Sequence, residues 1–382
     1  MNLNDYFNPV DFINNIKSYV RPDKQLFSIV VQHTKDHPIA NIEHFPLAIV
    51  GVPLDDEETT KSFYAIRKQL YGLAAPDHKI KIYDLGNLKT GLSVKDTDAA
   101  LRDVVIELMS FNTIPIILGA SNSVIYPIYS AYQKLIQNIN LVSIDNKIDV
   151  SEDRAQNTKS VLWKILVEEN ESLFTYSNIG YQSHFVGINT LKFIEDSLHN
   201  AFRIGTIREN IHNIEPVFRD ADFVTLNISS IRQSDAPGQI LPSPNGFYGE
   251  EICQLSRYAG LGNRLSVFGI FDYSSLNDRN NQTAQLIAQI IWYFINGFSS
   301  RVPEYPLHND KNFKKIIVNL DNFKSEIVFY KSEKTQRWWM EVPSFKNKKI
   351  KNVFISCTPQ DYQIASQGEV PENWLKAYQK IN

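Results

Sequence analysis

The sequence predicts a three-layer α/β domain on a mostly parallel sheet of about eight strands, followed by a small β-rich C-terminal extension. Three observations carry this. Short, nearly continuous apolar runs recur between residues 46 and 270, as strands buried on both faces require. Helix-period patterns lie between most of them, and strand–helix alternation calls for parallel pairing with helices on both sides. After Pro303 the runs shorten, separated by polar turns.

Residues 1–45 read as an irregular segment punctuated by Pro9, Pro22 and Pro38. The run 46–52 (PLAIVGV) is the first buried strand. Residues 59–71 put Phe63, Ile66 and Leu70 on one helical face. Further strands are expected at 81–85, 114–118, 139–144, 178–180, 202–204, 223–228 and 265–270. Helical patterns fall near 94–110, 123–137, 189–199 and 249–260. Residues 282–297 (QTAQLIAQIIWYFING) are apolar around most of the circumference, which places that helix against the sheet. Beyond Pro303, residues 316–318, 326–330, 338–342 and 352–356 read as short strands. The expected division is an N-terminal segment 1–45, an α/β domain 46–303 and an extension 304–382.

Composition narrows the function. A chain of 382 residues, 43% hydrophobic and 21% charged, is neither disordered nor collagen-like. Lys and Arg total 39 against 42 Asp and Glu, a net charge of −3. That balance gives no broad cationic field, so neither nucleic acid nor a membrane surface is expected as partner. The basic run 346–351 reads as a solvated loop. Cys253 and Cys357 cannot build a disulfide framework and belong to no C-x-x-C pair, so both are expected as packing thiols in a reducing compartment. Residues 1–20 lack a signal pattern. The most apolar helical stretch, 286–298, carries Gln289 and Asn296 and falls short of the roughly 20 residues of a membrane span. The expectation is a soluble, cytoplasmic protein.

In an open parallel sheet, ligand groups gather beyond the C-terminal strand ends. Here those positions carry Gly119-Ala120-Ser121-Asn122-Ser123, then Asp145-Asn146-Lys147-Ile148-Asp149, then Asn227 and Ser229 with Ala236-Pro237-Gly238 further on, then Asp272. Four strand ends converge on one cleft. In order and spacing these segments resemble the ureohydrolase family of arginases, agmatinases and formimidoylglutamases, whose motifs are G-G-D-H-S, D-A-H-x-D, S-x-D-x-D-x-x-D-P with a following A-P-G, and E-x-N-P. Gly180-Tyr181-Gln182, the phrase from Glu215-Pro216 to Asp220-Ala221-Asp222, and Pro244-Asn245-Gly246 bring it nearest the formimidoylglutamase-like branch. The likeness runs from about residue 46 to about residue 298 and leaves out the extension.

The resemblance implies two manganese ions held by four aspartates and two histidines, with a bridging hydroxide that attacks an amidine carbon. On that pattern the first-motif histidine falls on Asn122 and the preceding aspartate on Ser121. Asp145 and Asp149 are retained, while the histidine between them falls on Lys147. The third-motif ligands fall on Asn227 and Ser229, its third aspartate on Arg232 and its proline on Gln233. The E-x-N-P glutamate falls on Asp272. Two of six ligands remain, and the family's acid/base histidine has no counterpart in 150–183. No cofactor is therefore expected, and no catalytic residue is assigned; Asp145 and Asp149 are the metal-binding candidates if a site persists. Lys147 is expected to replace the metals as the centre of a buried salt-bridge hub with Asp145 and Asp149.

Other candidates keep two readings each. Asp145 and Asp149 line the cleft or cap the next segment. His33 and His37 stand four apart but lack the H-E-x-x-H glutamate, and read as surface histidines. His184 faces the cleft or is structural. Arg203 and Arg208 hold a substrate carboxylate, or pair with Glu215 or Asp220. Period-2 geometry puts one of Trp338 and Trp339 inside and the other out. Arg232-Gln233-Ser234-Asp235 is expected to serve structure where the family has a catalytic loop.

Function divides three ways. The leading expectation is a ureohydrolase-fold binding or assembly module without binuclear manganese chemistry. The alternative is an active formimidoylglutamase- or agmatinase-type C–N hydrolase with an altered manganese site. The third is metal-free chemistry through Lys147, which neighbouring carboxylates disfavour by stabilising the ammonium. The expected partner is an unidentified small molecule in the cleft. A homo-oligomer is what family likeness implies.

Overall fold

A computed structural model of the chain describes residues 1–10, 20–54, 57–76, 79–135, 138–150, 160–306, 311–320, 325–345 and 351–382. Most of the basic run 346–351 and part of the 150–183 stretch lie outside these residues.

Ten strands form one sheet: β1 (Phe7–Asn8), β2 (Val30–Gln32), β3 (Leu47–Val52), β4 (Ile82–Leu88), β5 (Ile114–Gly119), β6 (Ile139–Ile144), β7 (Leu173–Tyr181), β8 (Asn200–Arg203), β9 (Phe223–Asn227) and β10 (Val267–Phe271). The order runs β1-β4-β3-β5-β10-β9-β6-β7-β8, with β2 also on the outer edge of β4. Every pairing is parallel except β1 with β4. The eight strands read as apolar runs are all present. They read that way because the central ones are covered on both faces: every residue of β3, β5, β9 and β10 is buried. The N-terminal segment, expected as irregular, adds β1 and β2. Both are too short to show a pattern.

Helices cover both faces. Helices 57–71, 249–261 and 282–299 pack with Leu47, Ile49, Ile116 and Leu118. Helices 94–110, 125–135 and 188–196 pack with Ala48, Val50 and Ile117 on the other side. This alternation along each strand is the period of 2 serving two cores at once. A buried ion pair crosses from helix to sheet edge. Arg67 donates to the Asp84 carboxylate at 2.7 and 3.1 Å and to Asn87 Oδ1 at 2.8 Å, and Tyr71 donates its hydroxyl to Asp84.

The extension is a four-stranded antiparallel sheet, β11 (Phe313–Leu320), β12 (Ser325–Ser332), β13 (Trp338–Ser344) and β14 (Lys351–Cys357), in sequence order. Two unexpected helices follow, Pro359–Ser366 and Glu372–Ile381. Trp338 and Trp339 point to opposite faces, yet both are buried, at 9% and 2% exposure. The expectation of one exposed tryptophan fails because this sheet is also covered twice. Helical residues Tyr362, Ala365 and Trp374 pack on the Trp338 side. The Arg219 guanidinium lies 4.5 Å over the Trp339 ring on the other.

Arg219 also fastens the extension to the main domain. It donates to the Trp338 and Cys357 carbonyls at 3.1 and 3.3 Å and pairs with Glu215 at 3.2 Å. Arg337 meets the same Glu215 at 3.1 Å. Asp220 accepts the Ser356 N–H and hydroxyl at 2.8 and 2.6 Å. Both cysteines are buried and free, and burial pushes the Cys253 thiol up to about 12. Among the described residues, no helix is long and apolar enough to cross a membrane.

Candidate functional site

The cleft lies where β5, β6, β9 and β10 end. Gly119 closes β5 against β10: a Cβ there would fall 2.4 Å from the Phe271 ring. Beyond it Asn122 starts a short turn, and its backbone N–H donates to Asp272 Oδ1 at 3.2 Å. Asp272 takes a left-handed conformation, φ 65°, directly after β10. That turn leaves its carboxylate in reach of Asn227, whose amide donates to Oδ2 at 2.6 Å. The Asn227 Oδ1 in turn accepts the Ser229 N–H at 2.9 Å. The Ser229 hydroxyl reaches Asp145 Oδ1 and Asn146 Oδ1, both at 3.4 Å, and the Asn146 amide donates to the Ser229 carbonyl at 2.8 Å. Asp145 Oδ1 also accepts the Lys147 backbone N–H at 3.3 Å.

The structure therefore joins Asn122, Asp145, Asn227, Ser229 and Asp272 in one hydrogen-bonded chain across four strand ends. Desolvation pushes the Asp145 carboxyl up to about 7; backbone N–H groups and the Lys147 ammonium oppose this, and the Asp272 charge adds to it. Burial likewise raises Asp272, with the Asn227 hydrogen bond opposing.

Lys147 and Asp149 stand apart from this chain. The Lys147 ammonium lies 3.9 Å from Asp149, and their side chains are 39% and 61% exposed. The expected buried hub is not what forms: Lys147 contributes its backbone N–H to Asp145, while its side chain runs to the rim. The reason is geometric. Beyond the strand end the chain turns, and Asn178 fixes that turn by donating to the Lys147 carbonyl at 3.1 Å.

Residues not singled out from sequence complete the site. Asn146, Asn178 and Gln182 are buried at the ends of β6 and β7. Gln182 accepts nothing on Oε1, and Asn178 Oδ1 likewise has no hydrogen-bond donor among the described residues. The signal was available, since Asn146 and Gln182 follow predicted strands and Asn178 opens one. Gly180 shapes this end, with φ 98° and the Phe247 ring 2.2 Å from where a Cβ would sit.

Two of the remaining candidates, Arg208 and Arg232, are engaged in ion pairs. Arg208 pairs with Glu251 at 2.9 and 3.1 Å, not with Glu215 or Asp220, and donates to the Gly246 carbonyl at 2.6 Å. Arg232 pairs with Asp235 at 2.8 Å, and Asp235 accepts the Gly249 N–H at the start of helix 249–261. Both guanidiniums lie against the Tyr248 ring, at 4.4 and 4.1 Å. Arg203 and His184 are exposed, as is His37. His33, expected at the surface, is buried at 5% because the adjoining β2 pairs with β4; its Nδ1 lies 3.0 Å from the Leu85 carbonyl.

A mostly parallel, doubly covered sheet with polar side chains converging beyond its carboxyl ends defines an α/β protein with a polar cleft at its strand ends. Residues 45–296 match the profile of the Arginase family, and the chain belongs to that family. It is similar to the formimidoylglutamase of Staphylococcus carnosus, 23% identical over 228 residues, 56% of this chain and 72% of that protein. The formimidoylglutamase of Staphylococcus haemolyticus is 21% identical over 227 residues, 56% and 71% of the two chains. Among solved structures, formimidoylglutamase from Bacillus subtilis superposes with a TM-score of 0.63 at 18% identity, covering 77% of this chain and 98% of that one. Trypanosoma cruzi formiminoglutamase with manganese superposes with a TM-score of 0.61 at 17% identity, covering 69% and 97%.

The donor set can be tested against such a metal pair. Divalent manganese calls for carboxylate and imidazole ligands. Asp145 and Asp272 are engaged by amide, hydroxyl and backbone donors, and Asp149 lies at the rim against Lys147. Among the described residues, no three His, Cys, Asp or Glu side chains stand close enough to hold a metal ion. These residues do not fit a binuclear cluster.

Proposed function

We propose that the cleft binds a cationic, N–H-rich small molecule, of the amidine or guanidine class, without binuclear manganese hydrolysis. One observation carries the reading. Two carboxylates, Asp145 and Asp272, face the strand ends satisfied only by neutral donors, while Asn122, Asn227 and Ser229 supply amide and hydroxyl groups where metal ligands would be needed. Such a floor recognises positive charge and N–H groups by charge-assisted hydrogen bonds.

The likeness to formimidoylglutamases favours a second reading, a hydrolase of linear amidines with an altered manganese site in which Asp145 and Asp149 remain as ligands. One assay separates the two. The protein is incubated with manganese and formimidoylglutamate, agmatine or arginine, and formamide or urea is measured. The first reading expects no turnover but saturable binding of at least one of the three. Turnover abolished by Asp149→Ala establishes the second. Cytoplasmic location and homo-oligomer assembly belong to the same proposal.

A further inference from the structure

A second cavity lies at the opposite ends of the same strands. It lies between the starts of β6, β7 and β8 and the C-terminal extension, opens to solvent on one side, and has a volume of about 550 Å³. That is within the roughly 300–1,000 Å³ typical of small-molecule sites. Asn140, on its wall, precedes Asp145 of the cleft by five residues of strand, roughly 16 Å. The two sites are therefore separate.

The lining is two-sided. Phe174, Phe202 and Val353 give an apolar wall, and Thr175, Lys376 and Lys380 a polar end. The Lys380 ammonium donates to the Phe174 carbonyl at 2.6 Å and Thr175 Oγ1 at 3.1 Å, which leaves its third N–H. Lys376 donates to the His199 carbonyl and Asn200 Oδ1, both at 3.1 Å, and reaches the exposed Glu372 at 2.7 Å. Among the described residues, no carboxylate lies within salt-bridge distance of Lys380. The other charges nearby are engaged: Asp220 by Ser356, Arg264 by Asp222 and Asp361 by Thr358. A partly buried ammonium without a counter-ion is costly.

We propose that this cavity is a binding site for an organic monocarboxylate with an apolar body, whose anionic end supplies the counter-ion to Lys380. The apolar part lies against Phe174, Phe202 and Val353. Burial, with Lys376 adding to it, lowers Lys380 to about 7. An incoming anion reverses that, so binding above neutral pH takes up a proton.

Isothermal titration of the full chain with 4-phenylbutyrate, and separately with inorganic phosphate, tests this. Expected are saturable one-to-one binding of phenylbutyrate, much weaker phosphate binding, and proton uptake at pH 8 seen by comparing buffers of different ionisation enthalpy. Lys380→Gln weakens phenylbutyrate binding at least about tenfold, or 1.4 kcal/mol, and abolishes the uptake. Asn373→Trp, an exposed substitution at the cavity mouth, weakens binding without touching Lys380, and keeps the test open if Lys380→Gln fails to fold. Absence of saturable phenylbutyrate binding overturns the proposal. So does binding that survives Asn373→Trp unchanged, and so does phosphate binding as tightly as phenylbutyrate.

Discussion

Asn227 donates its side-chain amide to the Asp272 carboxylate across 2.6 Å, linking the ends of two neighbouring strands. A neutral donor thereby satisfies an acidic group at the position where the resemblance calls for a metal ligand. The cleft floor is tied together by amides, a hydroxyl and backbone N–H groups.

Asn227→Asp sets two carboxylates against each other. With the donor lost and like charges in contact, the variant is expected to lose about 1–3 kcal/mol at neutral pH. Urea unfolding followed by circular dichroism measures this. An unchanged midpoint would show that the floor tolerates a second charge.

Restoring Asn122→His, Lys147→His, Asn227→Asp and Ser229→Asp together tests whether the strand ends still hold the family's geometry. With that geometry intact, the fourfold variant gains a manganese-dependent rise in melting temperature that the wild type lacks. Elemental analysis after dialysis then finds metal in the variant and substoichiometric metal in the wild type.

Arg219 links Trp339, two carbonyls and Glu215. Arg219→Met leaves both carbonyls without that donor, and the expected cost is about 3 kcal/mol. Arg219→Lys does not rescue it, because a single ammonium cannot fork to both carbonyls while stacking on the ring. Hydrogen exchange should rise first in residues 311–320, 325–345 and 351–381. A uniform rise over the whole chain would argue against a docking role.

The Arg67–Asp84 pair makes a sharper case. Asp84→Asn keeps shape and removes the charge that Arg67 needs at 2% exposure. The expected loss is about 3–5 kcal/mol, measured by chemical denaturation. A loss under about 1 kcal/mol would mean that the other two acceptors of Arg67, Asn87 Oδ1 and the Gly86 carbonyl at 3.0 Å, suffice.

His199 predicts an acid-side slope. Burial, with Lys380 and Lys376 nearby, holds it down at about 3, against 6.5 when unfolded. Between those values the unfolded chain binds the extra proton, so stability falls as pH drops below about 6.5, by up to about 1.4 kcal/mol per unit. His199→Asn, which keeps an acceptor for the Tyr176 N–H, flattens the pH 6.5–5 part of that slope. An identical slope in the variant would assign it to other groups.

How much was legible follows from burial. β3, β5, β9 and β10 showed in the sequence because both faces are covered, leaving unbroken apolar runs such as LAIVGV. β1 and β2, with two and three residues, are set by pairing to β4 and carry no pattern of their own. Helix 359–366 had a readable start, Thr358 and Asp361 forming a capping box on either side of Pro359. Helix 372–381 carries Trp374, Ala377, Tyr378 and Ile381 at helical spacing. Both were missed beneath the stronger β pattern. At the cleft, strand–helix alternation made it readable that Asn122, Asp145, Asn227, Ser229 and Asp272 stand at strand ends. It could not show that Lys147 turns its side chain outward, because direction after a strand end depends on loop contacts such as Asn178.

The lysines of the last helix have a kinetic consequence. Lys380 closes on Phe174 across 206 residues of sequence, and Lys376 on His199 across 177. During synthesis at about 5–20 residues per second, the starts of β7 and β8 wait roughly 9–41 seconds for these partners. Through that interval the carbonyls of Phe174 and His199 lack the lysine donors that later hold the last helix against them.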